Sequence, residues 1–165
     1  MNILIQTPRF IIRLFKPEEE EIYLNLFNDE RVTLYLPKRS REEHTKIFRE
    51  HLNERPPGDI TGRWGIFNKV DGDFIGFCLL RSFDDGSDDI ELGYVLHYNY
   101  WGKGIATEMT KALLSQALTI QPDAKFVALT DIANIPSQQV LQKAGMQQAG
   151  NYFRNGEELA FFRMG

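Results

Sequence analysis

The chain has 165 residues, with 19 lysines and arginines against 23 aspartates and glutamates, for a net charge of −4 at pH 7. Its 42% hydrophobic and 25% charged residues are those of a globular protein, which excludes a disordered or collagen-like chain and suggests one domain over residues 1–165. The acidic balance argues against nucleic acid as a partner, since such binding needs clustered Lys and Arg, and suits a cationic or amine substrate better. A single cysteine, Cys78, can form no internal disulfide and no four-ligand zinc site, so a reducing compartment and no metal are expected. No apolar run of about 18 residues occurs, and the N-terminus lacks the basic-then-apolar pattern of a leader. The expectation is a cytoplasmic protein without membrane contact.

In chain order, Arg9 to Phe15 reads as a strand. Pro17 and the glutamates Glu18 to Glu21 then suit a helix start, and that helix is predicted to run toward Asn28. Ser40 and Glu43 form a capping-box pair, with His44, Ile47, Phe48, His51 and Leu52 on one face before Pro56-Pro57-Gly58 ends the second helix. Arg63 to Asn68 and Phe74 to Arg81, joined at Asp71-Gly72, read as a hairpin; the acidic turn Asp84 to Asp89 leads to a third strand, Ile90 to Leu96. From Gly104 the apolar spacing becomes helical, with Ile105, Met109, Ala112, Leu113, Gln116 and Ala117 in one stripe ending before Pro122. Phe126 to Thr130 is a strand, Ser137 to Ala144 a short helix stopped by Gly145, and Gln147 to Phe153 with Glu157 to Met164 a closing hairpin over Asn155-Gly156.

The chemistry concentrates where a strand, Glu91 to Leu96, gives way to Trp101-Gly102-Lys103-Gly104 at the head of a helix. Glycines let an anion approach the backbone, and the first amides of a helix are unpaired donors at a positive dipole end, which suits a pyrophosphate. For a lone Gly-x-Gly a tight turn with no ligand is the commoner explanation, so the context has to decide. The Walker A spacing and its Lys-Ser/Thr ending are absent. A dinucleotide fingerprint would need a third glycine where Thr107 stands, and Asp123, at the right distance, follows Pro122 instead of closing a strand.

These residues resemble the GNAT superfamily of acetyl-CoA-dependent N-acetyltransferases, in its Rim-type branch that acetylates ribosomal-protein N-termini. The resemblance runs through Thr7-Pro8-Arg9-Phe10-Ile11-Ile12-Arg13, the loop Tyr100 to Glu108, Asn134-Ile135-Pro136-Ser137, and Val140 to Met146, in that order. It implies an α/β (α+β) fold with a mixed, mainly antiparallel central sheet, splayed between the Ile90 and Phe126 strands and flanked by helices. It also implies acetyl-CoA as cosubstrate. The backbone of Trp101, Gly102, Lys103, Gly104, Ile105, Ala106 and Thr107 would hold its pyrophosphate, Val95 and Leu96 would pair with the pantetheine arm, and Asn134 would bind the coenzyme. Trp101 stands where the superfamily has Arg or Gln. Leu141 stands where much of it has a tyrosine acid, which leaves Ser137 to contact the coenzyme and serve the leaving thiolate.

Such a reaction needs one base, one oxyanion donor and one leaving-group contact. A peptide α-amine, with pKa near 7.7–8.0, is roughly a tenth neutral at pH 7 and tolerates a weak base, whereas a lysine does not. Glu91 is the nominated carboxylate; a polar residue on a solvated strand face is the competing reading. By resemblance the acceptor is a protein N-terminal α-amine, with a small amine second, attacked directly in a ternary complex by a monomer or homodimer. Two other classes stay open: a non-catalytic coenzyme A sensor or interaction module, and a redox dinucleotide-binding domain. His44 and His51 read as core-bordering, Cys78 as a small buried hydrophobe, and the Asp84–Asp89 turn as solvated. Trp101 reads as packing, while Tyr94, Tyr98 and Tyr100 could pack or line an acceptor pocket.

Overall fold

A computed structural model describes residues 5–164; the opening Met1 to Leu4, part of the leader reading above, lies outside them. Eight strands form one sheet: β1 (Ile5–Gln6), β2 (Phe10–Arg13), β3 (Gly62–Asn68), β4 (Phe74–Ser82), β5 (Ile90–Leu96), β6 (Phe126–Asp131), β7 (Gln147–Arg154) and β8 (Glu157–Met164). Their spatial order is β1-β2-β3-β4-β5-β6-β8-β7. Every pairing is antiparallel except β5 with β6, as expected of a mixed, mainly antiparallel sheet. The predicted strands agree with these to within a residue or two, except that β1 was not anticipated and β2 is shorter than the Arg9–Phe15 run.

The first helix is where the sequence reading fails. In place of one helix from Pro17 to Asn28 there is a 3₁₀ turn (Pro17–Glu19), α1 (Glu20–Asn25), a second 3₁₀ turn (Leu26–Asn28) and α2 (Glu30–Thr33). Glu19 folds back to take the Lys16 amide at 2.7 Å and a bidentate bond from Arg13 at 2.9 Å, so the first turn stays tight. Asp29 adopts extended backbone and caps a new start by accepting from the Arg31 amide. The next helix, α3 (Arg41–Glu50), opens on the expected box: Ser40 Oγ accepts from the Glu43 amide at 3.1 Å, and Glu43 accepts from the Ser40 amide at 3.0 Å. The long α4 (Ile105–Ile120) begins at Gly104, and α5 (Ile135–Lys143) starts two residues before the predicted Ser137.

Strand alternation sends side chains to two cores on opposite faces of the sheet. On one face Trp64, Ile66, Cys78, Leu80 and Leu92 pack with Met109, Leu113 and Ala117 of α4. Phe15, Phe67, Phe77 and Leu79 face the other way, with Tyr23 and Phe48 from α1 and α3. Met109 and Leu113 are wholly buried, each contributing about 1.5–3 kcal/mol of apolar burial. Cys78 is wholly buried too, and burial pushes its thiol far above the usual range, which makes it inert. Among the described residues no His, Cys, Asp or Glu cluster could hold a metal, and no helix is long and apolar enough to cross a membrane.

Candidate active site

The parallel strands β5 and β6 pair only at Ile90–Phe126, Glu91–Val127 and Leu92–Ala128, and beyond Leu92 they diverge. The amide of Ile90 donates to Lys125 O at 2.9 Å, whereas that of His97 donates to Ile75 O at 2.7 Å. Even-numbered residues of β5 therefore turn their backbone toward β6 and odd-numbered ones toward β4. The groups pointing into the gap are those of Tyr94 and Leu96. Val95, named as a pantetheine partner, is corrected: its backbone faces β4, opposite Phe77.

At the Leu96 end of β5 a 3₁₀ turn (Tyr98–Tyr100) leads into the glycine loop. Gly102 and Gly104 both adopt left-handed backbone, at φ 70° and 75°, and a side chain at Gly102 would meet nothing within 4 Å. The first bond of α4 runs from the Glu108 amide to Gly104 O, so the amides of Ile105, Ala106 and Thr107 precede the helical ladder as unpaired donors. An open glycine turn before three such amides fits a pyrophosphate. Trp101 departs from its expected part. Its amide is used by Tyr98 O at 3.0 Å, and its indole, on a residue 44% exposed, donates to Leu96 O at 2.9 Å. Trp101 thus tethers the loop to the end of β5, leaving Leu96 only its N–H for a ligand.

Arg9 supplies a second tether. Its Nη1 donates to Lys103 O at 2.6 Å and its Nε to Glu108 at 2.7 Å, so β2, through the residue before it, holds the loop and the first turn of α4 together.

Across the gap, Asn134 caps α5 by accepting from the Ser137 amide at 3.3 Å, which occupies its Oδ1. Ser137 Oγ lies 3.2 Å from the hydroxyl of Tyr94, whose side chain crosses from β5. Burial holds the Tyr94 phenol above its usual value, so it stays protonated and able to donate. Leu141, where a tyrosine acid would sit, is 2% exposed in the core.

A cleft of about 410 Å³ connects these groups to α1 and the segment after α2. Glu91 lies in its wall, but the nomination of this carboxylate as base needs correction. Arg81 binds it at 3.2 and 3.0 Å and Arg154 at 2.9 and 2.8 Å, each through both oxygens. Burial alone would raise its pKa, yet the two guanidiniums outweigh this and hold it below the usual carboxylate value. Such a group is a poor proton acceptor. On the opposite wall His44, stacked on Phe27 with centroids 3.6 Å apart, is kept neutral by burial and by the charges of Arg39 and Arg63.

Reasoning from sequence passed over Tyr94 as an undecided aromatic and gave Arg9, Arg81 and Arg154 no role. Only the fold brings Arg154 to Glu91, 63 positions away, although the motif Thr7-Pro8-Arg9 had marked the first of them. Comparison with known proteins bears on family and fold. Residues 9–147 match the family model described as an acetyltransferase (GNAT) domain. The uncharacterised N-acetyltransferase YnaD of Bacillus subtilis is 28% identical over 147 residues, covering 88% of this chain and 84% of that one. Among solved structures, the ribosomal-protein-S5-alanine acetyltransferase of Vibrio fischeri superposes with a TM-score of 0.80 at 19% identity, over 98% of this chain and 96% of that one. The aminoglycoside acetyltransferase AAC(6')-Ib, solved with coenzyme A, gives 0.75 at 13% identity over 94% of each chain. With a splayed sheet, a glycine turn opening onto free helix amides, and a family model spanning most of its length, the chain belongs to the GNAT family of acetyl-CoA-dependent acetyltransferases.

Proposed function

We propose that this enzyme acetylates α-amines, with a peptide N-terminus as the leading acceptor and a small α-amine next. One observation carries the choice: Glu91, the buried carboxylate in the cleft wall, is bound on both oxygens by two arginines and so cannot act as a strong base. An amine that is already partly neutral needs none. Cationic side chains around the cleft push the same way, because like charge disfavours an ammonium and favours the attacking amine.

Acetyl-CoA supplies the activated acyl group. The chain's own residues then have three tasks. Amides of the glycine loop and α4 hold the pyrophosphate; the N–H groups of Tyr94 and Leu96 face the thioester from the edge of β5 and stabilise negative charge developing on its oxygen. Tyr94, donating to Ser137, leaves the serine hydroxyl free to donate a hydrogen bond to the departing sulfur, which takes its proton from water as the amine's proton passes to water in the cleft.

The experiment is thiol release across a matched panel. A free-N-terminal peptide should turn over, and an Nα-blocked lysyl peptide, a polyamine and an aminoglycoside should not; faster turnover of any of the latter overturns the choice. Ser137→Ala should lower kcat by about tenfold or more with less than threefold change in acetyl-CoA affinity. Tyr94→Phe should do the same more weakly. If both constants stay unchanged in both variants, the hydroxyl pair has no part in the step.

A further inference from the structure

Arg63 is a buried cation without an acid. It stands in β3 at 7% exposure, with its guanidinium carbon 4.7 Å from the Phe77 ring centroid. Nη1 donates to the Tyr23 hydroxyl at 3.1 Å, and Nε has no hydrogen-bond partner. Among the described residues no carboxylate forms an ion pair with it. Arginine keeps its charge even when burial lowers its affinity for the proton, as it does here. Leaving a charge desolvated and uncompensated is strongly unfavourable, so such a residue calls for a counter-charge from outside.

The surroundings add positive charge. Arg39, exposed and without an ion pair among the described residues, is close enough for its field to act on Tyr23, His44 and Arg63. Both arginines line the cleft. In a protein of net charge −4, this cleft has five cationic side chains in its lining against three carboxylates.

Strand register fixes where Arg63 stands relative to the reaction. Arg63 pairs with Leu79, and Leu79 with Gly93, so all three share one row and one face of the sheet. Gly93 adds no side chain to that row, and its strand is two strands from that of Arg63, roughly 10 Å. The guanidinium lies over Phe77 of the intervening β4, whose register partner is Val95, so one molecule can place an anion on Arg63 and an amine at the gap beyond Leu92.

We infer that the cleft selects amines that carry a carboxylate, and that Arg63, reinforced by Arg39, receives it. The inference deepens the α-amine reading and rests on it. The carboxylate has two sources, the α-carboxylate of an amino acid or an acidic side chain near a peptide N-terminus.

Calorimetric titration of the coenzyme A-loaded protein with N-acetylated products tests the site apart from turnover. These products have no amine, so differences in amine pKa drop out. The pairs are N-acetyl-alanine against its amide, and N-acetyl-Ala-Asp-Ala-amide against N-acetyl-Ala-Asn-Ala-amide. At least one carboxylate member should bind tenfold or more tightly, as a charge-assisted bidentate contact requires, and the pair that responds identifies the source. Arg63→Met keeps the volume over Phe77 and should abolish the preference. Arg39→Gln, at an exposed position, should reduce it about threefold and keeps the test decisive if the buried variant does not fold. Equal binding within both pairs, or a preference that survives in the folded variants, overturns the inference. A preference without acetylation of any free amine would leave the anion site standing and remove the α-amine reading instead.

Discussion

Acetyl-CoA should bind Gly104→Val at least a hundredfold more weakly than the wild type, in a protein that remains folded. Gly104 occupies left-handed backbone at φ 75° immediately before α4. A β-branched residue there incurs about 1–2 kcal/mol of backbone strain. The atoms around it are not crowded: a Cβ would meet only Arg9 Nη2, at 3.7 Å. The stability loss should therefore be conformational and modest, a few degrees in Tm for a chain of this size. Binding should suffer far more, because the new side chain stands where a phosphate must approach three free amides. Titration calorimetry with acetyl-CoA, run beside a thermal melt, separates the two effects. Undiminished affinity in a folded variant would falsify the assignment of this loop to the coenzyme.

Glu91→Gln should cost about 3 kcal/mol of stability at neutral pH, the scale of breaking a buried ion pair from one side. The substitution leaves Arg81 without a counter-charge and leaves Arg154 with Asp84 alone. The sign of the pH dependence follows from the depressed pKa. A carboxylate held below its ordinary value stabilises the fold fully above that value and loses its contribution as pH falls through the depressed one. Urea unfolding of wild type and variant should thus differ clearly at pH 7, and the gap should narrow below pH 4. A variant with the wild-type urea midpoint and a collapsed kcat would instead restore Glu91 as the base.

Charge shows most clearly what sequence reading can and cannot reach. Net charge pointed to a cationic acceptor, yet cations outnumber carboxylates in the lining of the cleft. The reversal arises because Arg63, Arg81 and Arg154 come from three different strands and meet only once the sheet is assembled. Strands and capped helices were legible, since alternation and the Ser40–Glu43 box are local. Backbone direction along β5 was not: whether Val95 or its neighbours face the gap depends on a register that only pairing with β4 and β6 fixes. Tyr94 was likewise undecidable as a letter, because its partner Ser137 is 43 positions away. The glycine loop lies between β5 and α4, as the sequence order had it, but the resemblance gave Trp101 a ligand-facing amide, where the chain uses that group for its own turn.

On the proposed assignment of the loop to the coenzyme, the Arg9 tether couples coenzyme binding to the seating of β2 on the sheet. The guanidinium joins the loop carbonyl of Lys103 to the residue just before β2, 94 positions earlier in the chain. Fraying of β2 from β3 would withdraw Arg9 and remove this tether from the proposed phosphate cradle. By mass action, whatever occupies the cradle draws the population away from frayed molecules. Occupancy of the cradle by acetyl-CoA would then lower how often the first strands of this protein open.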